Sequence, residues 1–553
     1  MQDIWRVHPA DPARARALAQ AAGIHPVTAQ LLINRGVDTA AGSSRFLHPV
    51  LGSLEDPVRL MGLEQGVARI RRALATREPI LIFGDCDVDG LTASAILYDA
   101  LAQLDGVVSA HQSNRIADGY GLPERILRRI CRSTSKLVLL VDCGTNQAEA
   151  VRTLAEYGID TVIVDHHVPS EQCASPHALI NPHCDPAGTF RELSSAGLAF
   201  KIVQALLGDD PHRHLESFLD LAALGTLADC SPLRGESRIL VSEGLPRVLC
   251  SRRWGIQRLC EATQTTKAEP DHVARRLIPR LNASGRLGSS AAVWHLLLSR
   301  EPERVEEWMR AAETAHSTTK QLHRQVMAEA QEQVNRLHFK DQFVMVVSRL
   351  GWPQGLMGPL ASQLAERYGR PAIAIAMRED RGTGSGRSLP CFNLLEALKS
   401  CQDLLVQFGG HAQACGLMVD RKHLEAFRRT VNQQAKAALG TEGLVKTRTV
   451  DLELSLSAVR PEWVEETGRF APFGHGNPRP SIIVRHLAIE MQSPRRAVLT
   501  DGTLRLAAKG QFDSLDRGER YDVVVSPVRA EGELVLTVSD VRGSAGPSGP
   551  VRT

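Results

Sequence analysis

The stretch "LIFGDCDVDGLTASAIL" (residues 81–97) sets Asp85, Asp87 and Asp89 at alternate positions directly after an apolar run. Asp is a poor strand former, and like charges on one face of a strand end repel. Such a spacing makes sense where something positive stands before the carboxylates, or where they form a solvated turn. Side chains at i, i+2 and i+4 of an extended segment point the same way, so the three are expected to face one point. Three further pieces carry the same chemistry: "VDCG" (141–144), "VDHH" (164–167) and "GTLADCSPL" (225–233). They add Asp142, Asp165, His166, His167 and Asp229. A set of carboxylates with one or two imidazoles and no thiolate suits Mn²⁺ or Mg²⁺ rather than structural zinc. About five ligands with one bridging carboxylate would hold two ions roughly 3.5–4 Å apart, an arrangement that serves in-line displacement at phosphorus.

The elements that must bring these pieces together are legible as strands. "PILIFGD" (79–85), "KLVLLVDCG" (136–144), "DTVIVDHH" (160–167) and "HALINPH" (177–183) are apolar runs, and helix-like segments such as "TASAILYDALAQL" alternate with them. Strands apolar on both faces, alternating with amphipathic helices, predict a parallel α/β sheet. Ligands of such sheets bind beyond the carboxyl ends of the strands, where all four pieces fall. Residues 301–337 have no Gly or Pro after Pro302 and read as one long connecting helix. A second α/β region follows: "QFVMVVS" (342–348), "PAIAIAM" (371–377), the glycine-rich "GTGSGRS" (382–388) and "QFGGHAQACGLMV" (407–419). The glycine-rich run offers Ser385, Ser388 and Arg387; by spacing alone it is either a flexible turn or an anion nest of converging backbone N–H groups. It lacks a Walker lysine, which argues against an NTPase. From about residue 445 the texture changes to five short alternating runs, the pattern of a small β-barrel of the OB type. Its few aromatics are expected mainly in the core.

Formal net charge is only +3 over 553 residues, so overall charge neither favours nor excludes a polyanionic partner. The eleven cysteines contain no Cys-x-x-Cys pair, which excludes a zinc ribbon and a thioredoxin-type site and suits free thiols in a reducing compartment. No secretory signal precedes the first strand, and no apolar run reaches the roughly 18–20 residues that cross a bilayer, so a cytoplasmic protein with no membrane partner is expected.

"GDCDVDG", "VDCG", "VDHH" and "GTLADCSPL" resemble, in order, the four motifs of the DHH phosphoesterase superfamily. From about residue 50 to 540 the chain also resembles its RecJ branch, through "SNRIADGYGLP", "PRLNASGRL", "GSGRS", "FGGHAQACGL" and "PFGHGNPRP". The resemblance implies an N-terminal segment (1–50), a DHH catalytic domain (51–300), the connecting helix (301–340), a DHHA1 substrate domain (341–440), an OB-fold domain (445–543) and a disordered tail (544–553). It implies a metal-dependent exonuclease that degrades single-stranded DNA 5′→3′ to mononucleotides in repair and recombination, with a helicase and a single-strand-binding protein as partners. Asp87, Asp89, Asp142, His166 and Asp229 would hold two divalent cations, with Asp142 bridging. Asp85 would support the first ion or its water, and His167 would contact the phosphate or protonate the leaving oxygen. Arg387, Ser385, Ser388 and Arg280 would hold a terminal phosphate; Arg115 and Arg286 would take backbone phosphates, and His411 would lie near the scissile one. Two positions depart from the family pattern: Phe83 stands where some members carry a ligand His, and Pro353 where members usually carry His. A small-substrate phosphoesterase and a degenerate scaffold are the competing readings. The long chain with its barrel argues against the first, and the intact ligand positions against the second.

Overall fold

The computed structural model describes residues 4–117, 119, 121–171, 173–208, 215–336, 342–440, 447–512, 515, 518–530 and 532–544. The expected tail beyond Ser544 lies outside them, as do Asp118 and Tyr120 of the "SNRIADGYGLP" segment.

The first sheet has five parallel strands in the spatial order Val108–Gln112, Ile80–Gly84, Leu137–Val141, Asp160–Val164 and Ala178–Ile180. Alternate residues feed two separate cores. Leu137, Leu139 and Val141 join one apolar layer with the helices Val88–Gln103 and Ser195–Leu207. Val138 and Leu140 join a second layer under the helices Glu124–Cys131 and Ala148–Glu156. Burial on both faces explains the unbroken apolar runs. The chain starts at the second strand in space, moves one way to the edge and then the other. The gap between Ile80–Gly84 and Leu137–Val141 is therefore the topological switch point, where such sheets bind ligands.

The expected long helix is Val305–Asn335, 31 residues and about 46 Å long at 1.5 Å per residue. Its first half packs on the helices Ile278–Arg286 and Ala291–Leu298. Its second half, through Val326, Met327, Ala330 and Val334, joins the core of the next domain. That domain holds a mixed sheet in the order Gln407–Gly410, Ala414–Asp420, Arg381–Arg387, Ala372–Arg378, Met345–Leu350, parallel only between the last two.

The glycine-rich run is corrected here: it is neither a turn nor a nest but a central strand, laddered on both sides from Arg381 to Arg387. Its backbone amides serve the ladder. Gly382, Gly384 and Gly386 are buried on one face, where a Cβ would come within 2.4–2.8 Å of Met377, Ile375 or Leu394 side-chain atoms. The alternate face carries Thr383, Ser385 and Arg387.

The C-terminal strands Leu452–Glu453, Ile482–Ser493, Arg496–Thr500, Arg505–Lys509, Glu533–Gly543 and Tyr521–Ala530 form a barrel that closes through Ile482–Ser493 on Tyr521–Ala530. Trp463, Phe470, Phe512 and Tyr521 are buried in its core. The N-terminal residues share that core: Ile4–Val7 pairs in parallel with Thr447–Val450, and Leu31, Leu32 and Phe46 pack with Trp463 and Phe470. No helix among the described residues is long and apolar enough to cross a membrane.

Candidate metal centre

The ladders are in register to the last residue of each strand, so the following residues form a level row. The N–H of Asp85 donates to Val141 O at 3.2 Å, that of Asp142 to Val164 O at 2.9 Å and that of Asp165 to Ile180 O at 3.1 Å. Asp142 turns off its strand at φ +61°, a left-handed conformation that Asp tolerates better than most residues. Only Asp85 continues its strand. Asp87 caps the helix Val88–Gln103, its Oδ1 accepting the Gly90 N–H at 3.2 Å, and Asp89 lies in the first helical turn. The three carboxylates thus converge through a strand-to-helix turn, not along an extended segment as their spacing suggested. Gly90 makes the turn possible, because a Cβ there would stand 2.6 Å from Asp85 O.

Three overlapping ligand groups result among the described residues, one of them Asp142, His166 and His167. Oxygens of Asp85, Asp87 and Asp142 lie within 4.8 Å of one another, as do ligand atoms of Asp89, His166 and Asp229. His166 Nε2 lies 3.4 Å from Asp142 Oδ1 and 3.8 Å from both Asp89 Oδ2 and Asp229 Oδ1. The first is a long hydrogen bond and the other two are longer than one, and all three exceed the roughly 3 Å edge of a six-coordinate site with 2.1 Å bonds, so a small divalent ion fits among the donors. Asp229, expected beyond a strand end like the other pieces, instead ends the helix Leu219–Ala228, where carbonyl dipoles disfavour an anion and a cation would offset them. Burial, then the Asp229 charge, pushes Asp89 up to about 7. Burial, then the Asp87 charge, holds Asp142 well above the ordinary carboxylate range. Burial opposes charge on His166, but the hydrogen bond to Asp142 and the charges of Asp229, Asp142 and Asp89 raise it well above its usual value. This is a cation-seeking cluster. The neighbouring thiols take no part: burial pushes Cys86 up to about 11, and Cys143 is held well above the usual thiol range. The donor set is therefore oxygen and imidazole, which fits Mn²⁺ or Mg²⁺.

Asp165 plays a different part. It accepts the N–H groups of His166 and His167 at 2.8 and 3.2 Å and that of Thr145 at 3.2 Å, and it lies 2.7 Å from His167 Nδ1. Burial opposes its charge, but the hydrogen bond and charge of His167 keep it far below the usual range. His167 is raised to about 9: burial opposes protonation, and the Asp165 hydrogen bond and charge outweigh it. A carboxylate that fixes an imidazole in this way sets both its orientation and its proton.

Sequence reasoning missed the residues that hold the ligands. The N–H of Ser195 donates to Asp89 Oδ2 at 2.8 Å and that of Ala196 to Asp89 Oδ1 at 2.9 Å, while Ser195 Oγ donates to Asp142 Oδ1 at 2.9 Å. These are the first residues of the helix Ser195–Leu207, capped by Ser194, and "SSAG" before an apolar run is an N-cap signal that could have found them. Ser113 Oγ donates to Asp85 Oδ1 at 2.7 Å, and Ser231 Oγ to Asp229 Oδ2 at 2.6 Å. His183 was also missed; burial, then the charge of His166, lowers it.

Of the expected phosphate-binding residues, Arg115 pairs with Asp85 and lies 3.6 Å from Asp87 Oδ2, at the edge of the cluster itself. Burial, then the Arg115 charge, lowers Arg286, and burial lowers Arg387, with Arg115 adding to it. Burial, then the charges of His167 and His166, lowers His411. Arg387 Nη1 donates to Ser385 Oγ at 3.0 Å, and a Cβ on Gly358 would stand 3.3 Å from Arg387 Nη2 and 3.6 Å from Ser385 Oγ. Gly358 is in the first turn of the helix Met357–Tyr368, whose N-terminus has no side-chain cap. A guanidinium, a hydroxyl and a helix N-terminus thus meet in one place, the elements of an anion site. Two residues are engaged elsewhere: Arg280 binds Glu313 at 2.5 Å and Arg276 O at 2.8 Å, and Ser388 Oγ donates to Phe392 O at 2.7 Å. Phe83 is buried and stacked on His111, so it sends nothing to the cluster.

Family models match three parts of the chain: the DHH family N-terminal domain over residues 79–226, the DHHA1 domain over 341–437 and the RecJ OB domain over 450–517. The single-stranded-DNA-specific exonuclease RecJ of Bacillus subtilis is 33% identical over 545 residues, covering 96% of this chain and 68% of that protein. The Thermus thermophilus protein of the same name is 32% identical over 521 residues, 91% of this chain and 74% of that one. The crystal structure of RecJ from Thermus thermophilus in complex with Mn²⁺ superposes with a TM-score of 0.84 at 27% identity, covering 99% of this chain and 81% of that one. A complex of the same enzyme with Mg²⁺ gives 0.78 at 26% identity, over 99% and 80%.

Proposed function

This chain belongs to the RecJ family of single-stranded-DNA-specific exonucleases, and from that premise we propose how its residues divide the work. It is a metal-dependent hydrolase of single-stranded DNA. Asp87, Asp89, Asp142, His166 and Asp229 would hold two divalent cations, Mn²⁺ or Mg²⁺, which supply water activation and charge stabilisation at the phosphodiester. The protein's own groups do the rest. Ser195 and Ala196 lock the Asp89 carboxylate, Ser195 also holds Asp142, and Arg115 balances Asp85. Asp165 fixes His167, protonated at neutral pH, to hydrogen-bond the scissile phosphate and give its proton to the leaving oxygen. His411 closes the other side, and Arg286 takes a backbone phosphate.

Arg387, Ser385 and the N-terminus of the helix Met357–Tyr368 receive a terminal 5′ phosphate. An anchor for a chain end, facing the cluster across a cleft, makes the enzyme release mononucleotides from the 5′ end without reading bases. The observation that carries this reading is geometric: a carboxylate–imidazole cluster at the switch point, and Arg387, Ser385 and the N-terminus of the helix Met357–Tyr368 meeting in one place. The activity belongs to DNA repair and recombination in the cytoplasm, which suits eleven cysteines that form no disulfide among the described residues. A helicase and a single-strand-binding protein would deliver its substrate.

The test is digestion of a long single strand labelled at either end, with and without a 5′ phosphate, in Mn²⁺. Mononucleotide is expected first from the 5′ label. Arg387→Ala is expected to slow 5′-phosphorylated strands roughly tenfold, and strands ending in a 5′ hydroxyl much less. Release from the 3′ label, or equal slowing of both strands, would remove the end-anchoring role.

A further inference from the structure

One contact between the catalytic domain and the barrel domain has no part in this scheme. Asp229 ends its helix, and the chain then turns through Cys230 at φ +59°, a left-handed conformation uncommon outside glycine. Such a turn persists only where its surroundings hold it. Its own helix holds it on one side, where the Cys230 and Ser231 N–H groups donate to Leu227 O and Thr226 O at 3.3 and 3.2 Å, and on the other side it is held by the segment 469–477, which precedes the barrel strand Ile482–Ser493. His475 Nδ1 lies 2.8 Å from Cys230 O. The Leu233 N–H donates to His475 O at 2.8 Å, and Arg234 Nε donates to Gly476 O at 2.8 Å. The fit leaves no room: a Cβ on Gly474 would stand 2.8 Å from Leu233 Cδ1, and one on Gly476 would stand 2.8 Å from Pro232 Cβ.

The base of the segment is pinned as well. The buried Arg238 donates to the carbonyls of Arg469, Phe470 and Ala471 at 2.9, 2.7 and 2.7 Å, with its guanidinium 4.1 Å from the Phe46 ring centroid. Asn477 Nδ2 donates to Phe470 O and Pro472 O at 2.7 and 2.9 Å, closing the loop on itself. A rigid segment therefore presents one imidazole to the carbonyl beside Asp229.

We infer that His475 is a positioning residue for the metal centre: by donating from Nδ1 to the Cys230 carbonyl, it fixes the turn that aims Asp229 and Ser231 at the cluster. This rests on Asp229 being a ligand. His475 touches no reacting group and acts through Cys230, the residue that follows Asp229. The barrel is then part of the metal site and not solely an arm for DNA.

The experiment uses the full chain and measures Mn²⁺ binding by electron paramagnetic resonance. Thermal melting and single-strand binding are measured in chelator. His475→Ala is expected to weaken Mn²⁺ roughly tenfold, the scale of lost outer-shell support, with melting and strand binding in chelator unchanged. His475→Asn, whose amide can donate from near the Nδ1 position, is expected to recover most of the affinity. His475→Gln keeps bulk but misplaces the donor; it should resemble the alanine variant and replaces it if that variant melts early. Wild-type Mn²⁺ affinity in both His475→Ala and His475→Gln, or no recovery in His475→Asn, overturns the inference. So does loss of strand binding without loss of Mn²⁺. Asp229→Asn runs beside them: wild-type Mn²⁺ binding there would remove the ligand assignment itself, a separate failure from that of the clamp.

Discussion

The two α/β sheets present their polar residues in opposite ways. In the parallel sheet chemistry begins where the ladder stops, with Asp85, Asp142 and Asp165 each following a strand that is apolar to its end. In the second sheet Ser385 and Arg387 stand within the ladder, Ser385 opposite Ala374 and Gly416, and Arg387 opposite Ala372 and Ala414. A strand end is free to turn, so three of them, with the helix end that carries Asp229, can converge on one point, which a metal centre requires. A strand face cannot converge, but it holds a flat, fixed array, which suits one terminal anion at a set distance from the reacting bond. The first sheet positions its ligands by loop and helix-terminus hydrogen bonds; the second does so by giving its other face to glycine and packing it.

If convergence of charge is what the first sheet provides, neutralising its central member should have the largest effect. Asp142→Asn keeps a side chain that tolerates φ +61°. Exonuclease activity is expected to fall at least about 10³-fold, with Mn²⁺ binding lost in the same variant. In chelator the melting temperature should not fall and should rise, because one of several buried like charges is gone. Measurable turnover together with a lower apo melting temperature would mean that Asp142 is a structural residue. Ser195→Ala should come next: it removes the Oγ bond to Asp142 and leaves the backbone bonds to Asp89 in place. About 10- to 100-fold weaker Mn²⁺ dependence of activity is expected, without change in melting in chelator. An unaltered Mn²⁺ titration would show that the backbone donors suffice.

The same contrast explains what could be read from the sequence. Strand-end residues were legible because an abrupt change from apolar to acidic has no other reason to occur, and three such changes followed by a fourth acidic motif are specific in their order, although the fold sets that fourth motif at a helix end. Asp87 and Asp89 were expected to converge along an extended segment and instead do so through a strand-to-helix turn, since an alternating spacing reads alike in both. Ser195 was not legible as a support, because its donors to Asp89 are backbone groups 106 residues away in sequence. The strand Arg381–Arg387 was misread because glycine weakens a strand by local propensity, and only tertiary packing overrides that. Arg280 looked free in sequence, and only the fold brings Glu313 of the long helix to it.

The smallest effect separates the two designs most cleanly. If glycines in the second sheet are there for packing, adding one methyl group should disturb the domain and leave the metal centre intact. A Cβ on Gly384 would stand 2.8 Å from Ile375 Cγ1 and 3.0 Å from the backbone oxygen of Ala374. The side chain can shift but the carbonyl is tied into the ladder, so Gly384→Ala is expected to cost about 1–3 kcal/mol, as overpacking does. Thermal melting should report it, with Mn²⁺ affinity unchanged because the parallel sheet has its own core. Slower cleavage of 5′-phosphorylated strands should accompany the loss only as far as Ser385 and Arg387 are displaced. A neutral substitution would mean that this face has slack and that the glycines answer to something other than packing. Loss of Mn²⁺ binding would mean that the two sheets are not independent, and that the long helix Val305–Asn335 transmits strain between them.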